Sequence, residues 1–472
     1  MLGPMPSPTR ATPIETAAEA AAWLEGLIDL EKSPDFAYER VHLAPIRELL
    51  RRLGHPERGL PAIHIAGSKG KGSTALLVEA VLLAAGRRVG TFTSPHLERW
   101  TERFRIDGRD VEGPVLARAV AGLRDHVEAL RGGVAALVPS FFDATTAAAL
   151  LLFREAEVDF AVLEVGLGGR LDSTNVCAPV VTCVTSIELE HTDKLGTRLS
   201  EIAAEKAGIL KAGVPAVLGT LPSEARVTVL ARAEEVGAPV AELGRDFRAE
   251  TRAEGLEGLR LHLVDGPVDV EARLPVLGAH QATNAALALA CARRALGDSG
   301  VELADAVVRG LAAAELPGRL EVVGRDPMLL VDSAHTAVSA RALARSVARL
   351  PRRNTHWVLS VSSGKDVGSI LAALLPLADE VTVTRAEPRR SLPPDAIATA
   401  VRSAAPDLPL RVVPNPHLAL RAAREGLGPG DLLCATGSVY LAGIARRVLR
   451  DRVPPERVGV SRRPPRSSVA EP

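Results

Sequence analysis

The stretch AIHIAGSKGKGST, from Ala62 to Thr74, decides the fold of this chain. Its first five residues have the apolar character of a buried strand, a glycine-rich turn follows, and a helical pattern begins at Ser73. In such a unit the N–H groups of the turn face one concavity, and the helix N-terminus favours a bound anion. Lys71 can add a charge at the outer phosphates, and a following hydroxyl can reach Mg²⁺. The residues predicted to bind nucleotide phosphates are Gly70, Lys71, Gly72, Ser73 and Thr74.

This loop is a variant of the standard phosphate-binding loop. The standard pattern has Ser or Thr directly after Gly-Lys, whereas Gly72 intervenes here. Taken alone, the string could be a glycine-rich turn that binds nothing. The strand before it and the helix after it favour phosphate binding.

The rest of the chain continues the alternation of apolar strands and helices. Strands are predicted at DFAVLEV and APVVTCVTSI, and helices at DATTAAALLLFREA and LSEIAAEKAGILKAG. Strands that alternate with crossover helices predict an α/β fold with a mostly parallel sheet covered on both faces. Residues 221–275 have short alternating strands and predict an appended antiparallel sheet.

The alternation restarts after a cluster of breakers at Leu316–Arg319. We therefore predict a nucleotide-binding domain over residues 14–316, a linker over 317–324 and a smaller Rossmann-like α/β domain over 325–450. No GxGxxG follows the first strand of the second domain, so dinucleotide binding is not supported there. Residues 1–13 and 451–472 are rich in Pro, Ser and charge and are predicted to be disordered tails.

Composition excludes several classes of protein. Among 472 residues, Lys plus Arg number 57 and Asp plus Glu number 57. The lack of basic excess argues against a nucleic-acid partner. No apolar run reaches the roughly 20 residues that cross a bilayer, so no membrane association is expected. The four cysteines have no CxxC spacing, which disfavours a zinc module or a disulfide framework. We expect a cytoplasmic, monomeric protein rather than a secreted module.

Ten segments together resemble the folylpolyglutamate synthase and dihydrofolate synthase family, within the Mur ligase group of ATP-dependent amide-forming enzymes. They occur in the family's order over residues from about 36 to 445. The segments are HIAGSKGKGST, TFTSPHLERWTERFRIDG, SFFDATTAAAL, LEVGLGGRLDSTN, TSIELEHTD, EIAAEKAGIL, GAHQATNAALA, LPGRLE, VDSAH and ATGSVYLAG. The resemblance implies a Mur-ligase-like ATP-binding domain followed by a Rossmann-like domain. It also implies that ATP phosphorylates a carboxylate, which an amino acid's nitrogen then attacks.

The resemblance assigns roles to individual residues. It implies ATP as co-substrate and Mg²⁺, with two sites expected, held by Ser73, Ser94, Glu164 and His191. Lys206 matches a lysine that can be carbamylated, and Lys71, His191, Lys206 and His335 are the implied catalytic residues. Contacts with ATP are implied for Asn284, Arg319 and Asp332. The pterin-bearing substrate is expected at Leu171, Asp172 and Ser173, with Phe141 or Phe142, the latter preferred, as a stacking neighbour.

The residues themselves leave other interpretations open. Ser94-Pro95 could be a simple turn, His191 could belong to an exposed acidic turn, and Lys206 could pair with Glu201 or Glu205 on a helix surface. The phenylalanines could be core residues. Arg319 could form an ordinary interdomain salt bridge.

Two strings depart from the family's pattern. Ser68-Lys69 stand where Thr-Asn is usual, and Asp332-Ser-Ala-His-Thr-Ala337 replaces Asp-Gly-Ala-His-Asn-Pro. We therefore carry three hypotheses. The first is a ligase that adds L-glutamate to dihydropteroate, to reduced folates or to both. The second is a Mur-group ligase for another acid, and the third is a non-catalytic nucleotide-binding module.

Overall fold

The computed structural model describes residues 13–29, 41–297 and 300–450. Apart from Pro13, the two stretches predicted to be disordered tails, 1–13 and 451–472, lie outside the described residues.

The first domain is built on an eight-stranded sheet in the order β4-β3-β2-β5-β1-β6-β7-β8. Strands β2, β5, β1, β6, β7 and β8 run parallel, and β3 and β4 add an antiparallel edge. The predicted mostly parallel sheet is therefore confirmed. The strands are β1 Ala62–Ala66, β2 Val89–Phe92, β3 Phe104–Ile106, β4 Arg109–Asp110, β5 Phe160–Glu164, β6 Pro179–Val184, β7 Ala216–Leu218 and β8 Val240–Glu242.

Helices cover both faces of this sheet. Along β5, Val162 packs into one apolar cluster, whereas Ala161 and Leu163 pack into another on the opposite face. This double burial explains why β5 is a continuous apolar run rather than an alternating one. The helices are α1 Ala17–Glu25, α2 Ala44–Arg52, α3 Lys71–Ala84, α4 Gly113–Arg131, α5 Phe141–Glu155, α6 Thr192–Leu195, α7 Leu199–Ala207, α8 Ser223–Glu235, α9 Gln281–Leu296 and α10 Gly300–Ala313.

A three-stranded antiparallel sheet is appended to the first domain, in the order β11-β10-β9. It consists of β9 Phe247–Gly255, β10 Gly258–Asp265 and β11 Val268–Leu274. The antiparallel prediction for residues 221–275 is correct for this part and wrong for the part before it. That earlier part contains α8 and β8, and β8 extends the parallel sheet through its pairing with β7.

The second domain has a six-stranded sheet in the order β12-β13-β17-β14-β15-β16. All neighbours are parallel except β12 and β13. Most of β12 lies in the stretch predicted as a linker, 317–324. The strands are β12 Glu321–Arg325, β13 Met328–Val331, β14 Thr355–Leu359, β15 Glu380–Val383, β16 Leu410–Val412 and β17 Leu432–Thr436, and the helices are α11 Ala337–Ala348, α12 Val367–Leu374, α13 Pro394–Ala404, α14 Pro416–Glu425 and α15 Val439–Arg450.

Two further features bear on the class of protein. The cysteines Cys177, Cys183, Cys291 and Cys434 are all buried and free. Within the described part of the chain, no helix combines the length and the apolar character needed to span a membrane.

Candidate active site between the two domains

The glycine-rich turn connects β1 to α3, as predicted. Gly70 precedes the helix with φ +84°, a left-handed conformation that suits glycine. A Cβ atom at Gly70 would lie 2.5 Å from Asn284 Oδ1, and the Thr74 hydroxyl donates to the same oxygen at 3.4 Å. The structure thus brings Asn284, predicted from a distant segment, against the phosphate loop.

Two lysine side chains meet beneath this loop. Lys71 Nζ and Lys206 Nζ donate to the carbonyl oxygen of Gly67, at 3.0 and 2.9 Å. Lys206 is 2% exposed, and burial, reinforced by the charge of Lys71, lowers its pKa to about 7. A large neutral fraction of this amine is therefore present near pH 7.

The surface interpretation of Lys206 is wrong. Glu205 instead pairs with Arg170 at 2.8 Å, and Glu201 pairs with Arg198 at 2.8 Å. Lys206 points away from both, into the protein.

Glu164 ends β5 beside the phosphate loop. It is 6% exposed and accepts a hydrogen bond from the Ser94 N–H at 3.0 Å. Burial raises the pKa of Glu164, while Lys71, the Ser94 N–H and Arg319 act in the opposite direction. A Cβ atom at Gly72 would lie 3.2 Å from Glu164 Oε2, so the close approach of this carboxylate accounts for glycine where the standard loop has a hydroxyl residue.

The acidic turn before α6 folds over the loop. Lys69 Nζ lies 2.5 Å from Glu190 Oε2, which joins the phosphate loop to this turn. Burial alone would raise the pKa of Glu190, but Lys69, Lys71 and Lys206 outweigh burial and lower it to about 2. Lys69, which replaces the family's usual Asn, thus adds a cation to the loop, and an ion pair with Glu190 holds it in place.

His191 follows this turn in a left-handed backbone conformation, φ 51°, at the start of α6. His191 is exposed to solvent, as the exposed-turn interpretation requires. The surrounding protein nevertheless lowers the pKa of His191 through partial desolvation, and Lys365 and Lys71 add to the effect. The charge of Lys71 acts on both Glu164 and His191, so the three predicted residues lie in the same region of the protein.

His335 and Lys365 of the second domain lie near Lys69 of the phosphate loop, whose charge acts on both. His335 Nδ1 lies 2.9 Å from the Ser333 carbonyl, which assigns the proton to Nδ1 and leaves Nε2 as an acceptor. Burial, followed by the charge of Lys69, lowers the pKa of His335 to about 3. Burial and Lys69 also lower the pKa of Lys365.

Asp332 anchors the segment that carries Arg319. Its two oxygens accept the N–H groups of Leu320 and Ala334, both at 2.8 Å. Arg319 itself is half-buried and acts on Glu164 across the domain boundary. The position of Arg319 is compatible with phosphate binding, and the carboxylate of Asp332 is engaged with the main chain.

The residues predicted to bind the pterin-bearing substrate line a cavity of about 290 Å³. Asp172 forms part of its wall and accepts the N–H groups of Gly166 and Leu167 at 3.0 Å each, which fixes the turn after Glu164. Ser173 donates to buried Asp143 at 2.7 Å. The cavity is lined by Phe141, Phe142, Leu171, Asp172 and Ser173 together with Ile28, Asp29, Val41, His42, Pro45, Ala135, Ala136, Val138, Ser140, Asp143, Leu167 and Lys194.

Sequence reasoning missed Lys365 and Asp143, and it also missed Arg103, whose charge lowers the pKa of Glu164. Lys365 and Asp143 stand in SSGKD and SFFDA, and Arg103 stands in WTERF. A signal was available for Lys365, because SSGKD comes at the carboxyl end of a strand, and ligands bind at the carboxyl ends of strands in parallel sheets.

Models of the Mur ligase group match two stretches of the chain. The Mur ligase middle domain matches residues 124–292, and the Mur ligase glutamate ligase domain matches residues 318–439. The dihydrofolate synthase/folylpolyglutamate synthase of Mycobacterium tuberculosis is 36% identical over 94% of this chain and 97% of its own. This chain belongs to the dihydrofolate synthase/folylpolyglutamate synthase family of Mur ligases. The family resemblance inferred from the ordered motifs is confirmed.

Solved structures agree with this membership. The Mycobacterium tuberculosis folylpolyglutamate synthase, complexed with ADP and AMPPCP, has a TM-score of 0.83 at 35% identity and covers 92% of this chain and 99% of its own. A bifunctional folylpolyglutamate synthase/dihydrofolate synthase with Mn, AMPPNP and L-glutamate bound has a TM-score of 0.78 at 31% identity, covering 94% and 99%. Family members thus bind adenine nucleotides and a divalent metal.

Some relatives are about twice as long. The probable bifunctional folylpolyglutamate synthase/dihydropteroate synthase of Haloferax volcanii is 36% identical over 87% of this chain but only 49% of its own length. The chain therefore spans about half the length of this curated relative.

Proposed function

We propose that the chain is an ATP-dependent ligase that joins L-glutamate to dihydropteroate, to reduced folate polyglutamates or to both. The observation that carries the proposal is the segment Glu164–Ser173. Its first residue is a buried carboxylate beside the phosphate loop, and its later residues line the cavity. One segment thus connects a phosphate site with a pocket whose Phe142 ring can stack on a flat heterocycle.

The reaction has two steps. An oxygen of the substrate carboxylate attacks the γ-phosphorus of ATP, and the bond to ADP breaks. The glutamate amine then attacks the acyl carbon, phosphate leaves, and the amine loses a proton. Lys71, at the start of α3, stabilises negative charge on the phosphates, and Arg319 is positioned to add a second cation from the domain boundary.

Two histidines near the site are neutral at pH 7, because the pKa is lowered to about 4 for His191 and to about 3 for His335. Such low pKa values make both imidazoles weak bases, so they are suited to accepting hydrogen bonds rather than to removing a proton. His335 presents Nε2 from the second domain, because Nδ1 is engaged with Ser333. We propose that His335 positions the attacking amine by accepting a hydrogen bond from it.

The residues fit a hard divalent cation. Ser73, Ser94, Glu164 and His191 supply hydroxyl, carboxylate and imidazole groups at the edge where β2, β5 and β6 end, and buried Glu164 needs a positive partner. The described residues contain no group of three or more His, Cys, Asp or Glu able to hold a metal. The proposed set includes two such residues, so phosphate oxygens would complete the coordination. Mg²⁺, in two sites, would neutralise charge on the transferring phosphoryl group.

Lys206 is proposed to act as a carbamate. Its neutral amine can add to CO₂, which would place two oxygens and a negative charge beside Lys71. A buried lysine with a lowered pKa is the form that reacts in this way.

The decisive experiment measures glutamate-dependent ADP release with dihydropteroate and with tetrahydrofolate in separate reactions, together with the mass of the product. We expect ADP release with at least one of them and a product heavier by one glutamyl residue. The other two hypotheses have their own outcomes. Turnover with a different acid in a substrate screen would indicate another Mur-group ligase, and nucleotide binding without turnover of any acid would indicate a non-catalytic module. We also propose a cytoplasmic monomer, which light scattering of the purified chain tests for the oligomeric state.

A further inference from the structure

We propose that Arg103 binds the carboxylate of dihydropteroate and orients it for phosphorylation. This inference rests on the proposed function and adds a substrate-binding residue to it.

The Arg103 side chain is buried against an aromatic wall. The residue is 8% exposed, and its guanidinium carbon lies 4.6 Å from the centroid of the Trp100 ring and 5.7 Å from that of Phe141. Its Nε donates to His96 Nδ1 at 2.9 Å. Cation–π contact and this hydrogen bond hold the planar guanidinium in one orientation.

Arg103 is not one of the residues lining the cavity, but it contacts the cavity wall and the segment that reaches Glu164. On one side, the Phe141 ring beneath it is part of the cavity wall. On the other, the Arg103 carbonyl accepts the Thr93 N–H at 3.1 Å, and the next residue, Ser94, donates its N–H to Glu164.

The chemistry of the substrate requires a cation at this place. Dihydropteroate is a flat heterocycle that ends in a carboxylate, and that carboxylate has to approach both Glu164 and a triphosphate. Like charges repel strongly where water is largely excluded, so the approach needs a compensating positive group. A guanidinium matches the two oxygens of a carboxylate in a bidentate arrangement, which also fixes the direction from which an oxygen attacks.

Other cations near the site occupy different positions. Lys71 and Lys206 donate to Gly67 beneath the phosphate loop, and Arg319 belongs to the domain boundary. Lys194 also lines the cavity, on the side of α6. Lys194 is therefore the alternative carboxylate-binding residue that the experiment has to distinguish.

The test compares two ligands in the presence of ADP and Mg²⁺. One is dihydropteroate, and the other is 6-anilinomethyl-7,8-dihydropterin, which lacks the carboxyl group. We expect the Arg103→Gln variant to bind dihydropteroate about 10- to 100-fold more weakly and to bind the carboxyl-free ligand unchanged. The dihydropteroate affinity of Arg103→Lys should lie between those of wild type and Arg103→Gln, because lysine keeps the positive charge but cannot bind both carboxylate oxygens in a bidentate arrangement. Arg99→Gln is the control, since Arg99 is on the same segment with a 71% exposed side chain.

The outcomes separate the possible roles. Equal weakening of both ligands would overturn the inference and make Arg103 a structural residue. Loss of the carboxylate preference in Lys194→Met but not in Arg103→Gln would transfer the role to Lys194. If Arg103→Gln does not fold, as judged by its ADP affinity, unchanged dihydropteroate binding by Arg103→Lys would overturn the bidentate contact. A wild type that forms no glutamyl product would overturn the proposed function, and the inference with it.

Discussion

The side-chain amines of Lys71 and Lys206 share one acceptor, the carbonyl oxygen of Gly67, at 3.0 and 2.9 Å. Two ammonium groups on one oxygen repel each other, and Lys206 is the more deeply buried of the two. Burial and the charge of Lys71 lower the pKa of Lys206, and the first prediction follows from that shift.

The Lys206→Met variant should lose activity and gain stability at neutral pH. The pKa of Lys206 is about 7 in the folded protein and about 10.5 in the unfolded chain, so the unfolded state binds more protons between those values. The cost of burying the charge is fully present below pH 7 and is relieved as the pH rises toward 10.5. We expect the free energy of unfolding of the variant to exceed that of wild type by ~1 kcal/mol or more at pH 6.5, and the gap to shrink at pH 9.5.

Urea unfolding at the two pH values measures this gap. Arg198→Met, an exposed change at the start of the same helix, is the control and should leave the pH dependence as in wild type. A gap that stays constant with pH would contradict a lowered Lys206 pKa. Carbamylation predicts in addition that small carboxylates partly restore the activity of Lys206→Ala.

Glu164→Gln should abolish metal-dependent turnover without unfolding the protein. The amide keeps the shape of the carboxylate but not its charge, so we expect kcat to fall by about 100-fold or more. Binding of Mn²⁺ in the presence of AMPPNP, followed by electron paramagnetic resonance, should weaken in parallel. Glu155→Gln, an exposed change at the end of α5, is the control and should change neither kcat nor Mn²⁺ binding. Equal Mn²⁺ affinity in Glu164→Gln and wild type would remove Glu164 from the metal site.

Asp172→Asn is a small change in volume, but it should lower both the stability of the protein and its affinity for dihydropteroate. Asp172 is an acceptor for three main-chain N–H groups, those of Gly166, Leu167 and Thr174. An amide would turn its NH₂ group toward some of these donors, so we expect a loss of about 1–3 kcal/mol in the free energy of unfolding. Dihydropteroate binding, measured by calorimetry, should weaken too. Asp193→Asn, at an exposed position of α6, is the matched change, and similar losses in both variants would argue against this role.

Arg446→Met should weaken the joint between the domains more than Arg325→Met. Arg446 bridges Glu98 of the first domain and Glu321 at 2.7 and 2.9 Å, and all three side chains are largely buried. Removing it takes this cation from Glu98, whereas Glu321 keeps Arg450 and the Gly318 N–H. We therefore expect a loss below the ~3–5 kcal/mol that breaking a fully buried pair costs, but above that of an exposed pair. The Arg325–Glu257 pair, at 2.7 Å, is exposed and should contribute about 0–1 kcal/mol. Urea unfolding of the two variants provides the comparison, and equal losses would refute the ranking.

Local patterns predicted the site's framework well. The strand, turn and helix around Gly70 follow from residues that are adjacent in sequence, and strand ends place Ser94 and Glu164 at one edge. Lys206 was harder, because its partner Gly67 is 139 residues away, and the acids near it in sequence, Glu201 and Glu205, pair with arginines instead. Such a contact depends on tertiary packing around α7, which shares an apolar cluster with the end of β1 and which no local pattern contains.

The error over residues 221–246 has a physical cause. Helix α8 buries only Ala225, Val229 and Ala233, so its apolar stripe is narrow and made largely of small side chains. Its Val227, Thr228 and Val229 run instead has the β-branched character of a strand. Tertiary packing against α7 stabilises this segment as a helix rather than a strand, and the local sequence does not encode that packing.

The main-chain bonds around Arg319 determine which body carries this arginine. The Gly318 carbonyl accepts the Ser333 N–H at 3.0 Å, and the Leu320 N–H donates to Asp332, so both neighbours of Arg319 are fastened to the end of β13. Both neighbours of Arg319 are thus tied to the smaller domain, while its own N–H donates to Leu316 of the larger one at 3.2 Å. If Arg319 binds the nucleotide as proposed, a separation of the two domains would withdraw its charge from spent ADP, and product release would be coupled to that separation.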